Sequence, residues 1–167
     1  MKLTSNSALG KVFVSLALAF SLGSAPALAG ANFPLLTPDE TTAYMNAPQP
    51  DDDLAEDRAI AMVRADGPGI RVAAPSGFKL RSPVNFDIRI QPKDGIPVVM
   101  SSLKIEYRLG PIWTDVTGRL AGHGSVIGTQ LKANGADLPL GKHQIRLTVT
   151  DSENRKTQAV VKFAVVQ

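Results

Sequence analysis

Strict alternation of apolar and polar residues is the feature of this chain that most limits its fold. Val84-Asn85-Phe86-Asp87-Ile88-Arg89-Ile90 alternates without a break, and so does Leu103-Lys104-Ile105-Glu106-Tyr107-Arg108-Leu109. His143 to Thr150 keeps the same beat through its centre. In a strand, alternate side chains share one face, so each run has a dry side and a wet side; wound into a helix, the same apolar residues would scatter around the axis. Weaker strand candidates are Ile70–Ala73, Ile112–Val116, Val126–Leu131 and Gln158–Val166. The last is apolar on both sides, which suits a strand lying between neighbours. Turn signals separate the runs, among them Pro92-Lys93-Asp94-Gly95, Gly110-Pro111, Gly122-His123-Gly124 and Asn134-Gly135. About seven short strands then fall within residues 69–167, with no helix between them. Parallel pairing needs crossovers that the chain lacks, so the expected closure is an antiparallel two-sheet β-sandwich.

Leu138-Pro139-Leu140-Gly141, leading into the alternating strand that ends at Asp151 and the polar turn Ser152–Lys156, resembles the penultimate strand of bacterial immunoglobulin-like domains. Pro83 to Ile90 resembles an early strand of the same sandwiches. The resemblance covers about residues 69–167 and implies an immunoglobulin-like fold with roles in adhesion, ligand binding or spacing. Many such domains carry an aromatic corner residue, often tyrosine, where His143 stands, so the resemblance gives His143 that corner. The disulfide and core tryptophan of antibody domains have no counterpart, because cysteine is absent and Trp113 is not in the expected strand.

The first 29 residues read as a secretory signal peptide. Lys2 and Lys11 precede or open an apolar run from Val12 to Leu22, helix breakers follow at Gly23 and Pro26, and Ala27-Leu28-Ala29 is a small-x-small cleavage site. The run is too short to span a bilayer, and no later segment is long and apolar enough. The expected location is therefore the periplasm or beyond. Residues 30–66 read as an acidic linker or arm, flexible or weakly helical, with eight acidic and two basic residues. Thr37-Pro38-Asp39-Glu40 is a helix start, with an N-cap hydroxyl, a proline at the first position and a glutamate three residues after the cap. Asp51 to Arg64 offers a second weak helix, with a strand over 59–64 as the alternative. Residues 67–167 form the sandwich domain and carry fourteen basic against seven acidic residues. Those bases stand on alternating strand positions rather than in one run, the pattern of a domain against which the acidic arm lies, or of an ordinary solvated surface.

No catalytic motif is present. The absence of cysteine excludes disulfides, thiolate catalysis and Cys-ligated metal, and two histidines exclude a multi-histidine centre. His143 has no nucleophile motif beside it, and His123 sits in a glycine-flanked loop that reads as mobile and exposed. If the strands follow sandwich order, Asp94 meets Asp151, Glu153 and Asn154 at one end, a weak calcium candidate opposed by Lys93, Arg155 and Lys156. Trp113 with Ile112 and Tyr107 is a weak stacking platform, and Trp113 and His123 are the weak ligand-binding candidates. No cofactor is expected. The function expected is that of a non-catalytic binding module for a protein or cell-envelope component, acting through loops or an open sheet edge. The alternatives are a basic module for polyanions or envelope surfaces, without specific nucleic-acid recognition, and a small metal-binding protein.

Overall fold

The computed structural model describes residues 31–48 and 60–167. The expected signal peptide and most of the expected weak helix from Asp51 lie outside the described residues. Thirteen elements follow in order. They are β1 (Phe33–Pro34), α1 (Pro38–Asn46), β2 (Ile60–Ala65), β3 (Gly69–Ala74), β4 (Lys79–Leu80), β5 (Val84–Gln91) and β6 (Val98–Leu109). After these come β7 (Ile112–Asp115), α2 (Thr117–Gly122), β8 (Gly124–Ile127), β9 (Gln130–Asp137), β10 (Gly141–Asp151) and β11 (Lys156–Val165).

The strands form an all-β sandwich of two sheets. One runs β1-β9-β5-β3, with β8 also on β9; the other runs β2-β11-β10-β6-β7, with β4 also on β11. Consecutive strands pair as hairpins at β6-β7, β8-β9 and β10-β11, while the chain crosses between sheets from β5 to β6, β7 to β8 and β9 to β10. The three alternating runs are β5 and the centres of β6 and β10, and their apolar positions point inward. Phe86, Ile88, Ile90, Ile105, Tyr107, Ile145, Leu147 and Val149 are all buried. Leu131 from β9 and Val161, Phe163 and Val165 from β11 join the core, as do Phe33, Leu35, Leu36 and Tyr44 from the arm.

Three local expectations are corrected. A helix does interrupt the strands: α2 is one short stretch, held because Val116 and Leu120, four apart, are both fully buried on one side of it. Asn134-Gly135 is not a turn but lies inside β9. There Gly135 takes a φ of +81°, its N–H donates to Asn85 Oδ1, and the pairing with β5 slips between Val84 and Phe86. The dipeptide makes a β-bulge, which uses the same left-handed tolerance as a turn. The Val126–Leu131 candidate is split into β8 and β9 by a hairpin at Gly128, whose φ is +57°.

The described parts of the arm are built into the sandwich. Thr37 caps α1 in a reciprocal capping box with Glu40, as the sequence predicts. Phe33 and Pro34 run parallel to Ala136 and Asp137, and β2 realises the strand alternative by pairing with β11. Glu40 then reaches Arg119 on α2 in a two-pronged contact, with Nη2 donating to Oε1 at 2.9 Å. The hydrogen bond from Arg119 holds the Glu40 carboxyl below the usual carboxylate range.

Candidate functional site

The outward side chains of the β2-β11-β10-β6-β7 sheet form the most strongly charged face among the described residues. Alternation that sends Ile145, Leu147 and Val149 inward sends Lys142, Gln144 and Arg146 outward. On β6 the outward set is Lys104, Glu106 and Arg108; on β11 it includes Lys156 and Lys162. Register joins these into rows. Gln144 lies opposite Lys162, Arg146 opposite Glu106, and Thr148 opposite Lys104. The edge strands add Lys79 opposite Ala164, Arg64 opposite Gln158, and Trp113 opposite Arg108. Eight lysines and arginines thus share one sheet face with two acids, Glu106 and Asp115, and a third, Asp66, pairs with Arg64 at 2.6 Å at its edge. Bases that are dispersed along the sequence thus stand on one face, because alternate positions on neighbouring strands share it.

Glu106 is the internal counter-charge. It is only 6% exposed, and it accepts from Arg146 Nε at 2.7 Å and from Lys104 Nζ at 2.8 Å. The bond from Arg146 holds its carboxyl below the ordinary range, with Lys104 acting the same way against the effect of burial. Arg108 donates to Gln144 Oε1 at 2.9 Å and to the Gly110 carbonyl at 3.1 Å. Trp113 lies beneath two guanidiniums, Arg146 at 4.3 Å and Arg108 at 5.9 Å from its ring centre. Arg146 is therefore fixed from two sides, and the lysines around it extend from a rigid floor. The outward face of the other sheet is mixed: Asp87 accepts from Gln130 at 2.6 Å and also faces Arg89 and Lys132.

Trp113, Ile112 and Tyr107 do not form a platform. Tyr107 is in the core, while Trp113 packs under arginine on the outer face. His123 is exposed, but it is not a free loop: its ring stacks on Phe33 at 4.2 Å and 5° between planes. Asp94 and Asp151 do share one end of the sandwich, as strand order predicts, but the centre between them is occupied by Arg155. Arg155 Nε donates to Asp151 Oδ2 at 2.7 Å, and Nη1 donates to Asp94 Oδ2 at 3.0 Å. Asp151 Oδ1 accepts the N–H groups of Glu153 and Arg155. Burial would raise the Asp151 carboxyl; the bonds from Arg155 and these N–H groups outweigh it and hold it low. Glu153 stands 3.8 Å from Arg155, and Asn154 takes a φ of 60° in the turn. The four residues belong to a loop clamp, and among the described residues no cluster of histidine or acid has the spacing of a metal site.

His143 ties its strand to the turn that precedes it. Its Nε2 lies 2.9 Å from the Pro139 carbonyl, which only accepts, so Nε2 carries the proton. Nδ1 is then the acceptor for the Tyr107 hydroxyl. The ring is stacked between Tyr44 at 5.1 Å and Phe163 at 5.3 Å, and the Tyr44 hydroxyl donates to the Lys142 carbonyl. Burial pushes His143 down to about 4 and pushes the Tyr107 phenol up. Sequence reasoning missed Tyr44, whose only local signal was a lone tyrosine on a polar helix.

No helix among the described residues is long and apolar enough to cross a membrane. Comparison with protein families, curated proteins and solved structures finds no match.

Proposed function

We propose that this chain is an exported, non-catalytic binding module with an immunoglobulin-like sandwich, recognising an anionic component of the cell envelope. The observation that carries the reading is the outer face of the β2-β11-β10-β6-β7 sheet, where eight bases meet three acids, Glu106, Asp115 and, at the edge, Asp66. Side chains on such a face are spaced by strand separation in one direction and by two residues in the other, so several reach a polyanion together. Glu106 and Trp113 fix the arginines, and fixed cations lose less freedom on binding. The leader-like residues 1–29 support export. Nothing in the site offers a nucleophile beside a base.

The test is binding to a soluble polyphosphate across a salt series. With five or six bases engaged, the logarithm of affinity falls against the logarithm of salt with a slope of about −4 to −5. A slope near zero, or no binding at low salt, defeats the reading.

A second reading rests on β8. All four of its residues are exposed, including Val126 and Ile127, and it carries no charge. Such an edge can accept an extended segment of a protein partner by strand addition.

A further inference from the structure

The basic face changes character at one end. Pairing of Gly141 with Val165 places Leu140 and Val166 side by side just beyond the last paired row. Pairing of Leu109 with Ile112 sets Ile112 at the same end of the sheet. The Tyr44 hydroxyl on the Lys142 carbonyl, together with Ala47 beside Gly110, brings the C-terminal turn of α1, and Met45 with it, to that end as well. Leu140 is 51% exposed, Val166 38%, Ile112 60% and Met45 62%. Half of the large apolar side chains exposed among the described residues are thus gathered at one end of one sheet.

Among the described residues the charge around them is mainly positive, and the acid that borders it is Asp137, which accepts from Ser82 Oγ at 3.4 Å. The segments that build this end are residues 42–48, 78–83, 108–113, 138–144 and 162–167. They carry Lys79, Arg81, Arg108, Lys142 and Lys162, and not one aspartate or glutamate. A second copy of the chain would bring the same positive charge against it, and a soluble polyanion has no use for four exposed apolar side chains. An anionic lipid surface satisfies both halves, because apolar side chains enter below the headgroups while lysine and arginine meet the phosphates.

We propose that this end of the sandwich docks on an anionic lipid surface, with Leu140, Val166, Ile112 and Met45 entering the interface and the five bases contacting headgroups. The inference rests on the basic face being a binding surface and narrows its partner. Trp113 adjoins Ile112, packs under Arg146 and Arg108, and is the only tryptophan of the chain, so its emission reports on the part of the basic face next to this end.

The experiment uses the chain from Gly30 onward, which contains every residue of the core described above. It is titrated with vesicles of phosphatidylglycerol mixed with phosphatidylcholine, with phosphatidylcholine vesicles, and with soluble polyphosphate. Expected are co-sedimentation with the anionic vesicles only and a blue shift of Trp113 emission. The Ile112→Ser, Leu140→Ser double variant should bind anionic vesicles at least about tenfold more weakly, and polyphosphate within about twofold of the parent. Polyphosphate binding combined with an unmoved Trp113 emission, or with vesicle binding indifferent to the double variant, overturns the lipid proposal and leaves the basic face standing. Binding to neither defeats both.

Discussion

Bringing the protein from pH 7 to pH 4 should cost it about 3 kcal/mol of stability through His143 alone. The ring is held neutral between Tyr44, Tyr107 and Phe163, and its one N–H is spent on the Pro139 carbonyl. Its folded value lies near 4, against 6.5 when exposed. The stabilisation is therefore complete above about pH 6.5 and drains away as the pH falls toward 4, while the unfolded chain takes up a proton that the folded ring refuses. Glu40 and Glu106, held low by Arg119 and Arg146, add losses of the same sign at lower pH. Urea unfolding at the two pH values measures the total. His143→Phe isolates the histidine: it lowers stability at pH 7, by unpairing Tyr107 and the Pro139 carbonyl, and reduces the pH 7 to pH 4 difference by about 3 kcal/mol. An unchanged difference in the variant, or a His143 ring that titrates near 6.5 by NMR, contradicts a buried neutral ring.

Replacing Lys79, Lys142 and Lys162 together by glutamine should weaken polyphosphate binding about 100-fold at low salt, at roughly 1 kcal/mol for each base. All three lie on the outer face of the same sheet, where Lys79 and Lys142 flank Ala164 and Lys162 pairs with Gln144. The salt slope should flatten by about three in the same variant. The control is Arg71→Gln with Arg89→Gln, a pair that faces across the opposite sheet. Removing two cations there changes net charge almost as much but should alter affinity by no more than about threefold. Equal losses from the two sets would mean that the chain binds through its net charge alone.

The core strands were legible because alternation is a direct consequence of strand geometry: β5, β6 and β10 have one dry face each, and no other element accommodates that period. The same rule held the candidate site, although the lysines and arginines look dispersed along the chain. Lys142 and Lys162 are twenty residues apart in sequence and one row apart in the sheet, separated only by Gln144 and Ala164 positions. Reading strand by strand, without register, hides that neighbourhood. Trp113 and Arg146 are similarly joined only by the order β10-β6-β7. The short elements were harder. Asn134-Gly135 carries the same left-handed preference whether it turns a hairpin or bulges a strand, and the partner Asn85, fifty residues away, decides which. The arm reads as a linker because it is acidic and rich in proline. Its anchors are short: strand pairings at Phe33–Pro34 and Ile60–Ala65, the buried Leu35 and Leu36, and single contacts of Phe33 on His123, Glu40 on Arg119 and Tyr44 on His143, and most of these are too brief for any periodicity to announce.

The most direct test of the account is amide chemical-shift mapping of the chain from Gly30 during titration with soluble polyphosphate at low salt. The account predicts perturbations that follow the outer face of one sheet, at Lys79, Lys104, Arg108, Lys142, Arg146 and Lys162, with the Trp113 indole among them and β3, β5 and β9 quiet. Shifts concentrated on β3, β5 and β9, or spread evenly over both sheets, would contradict it.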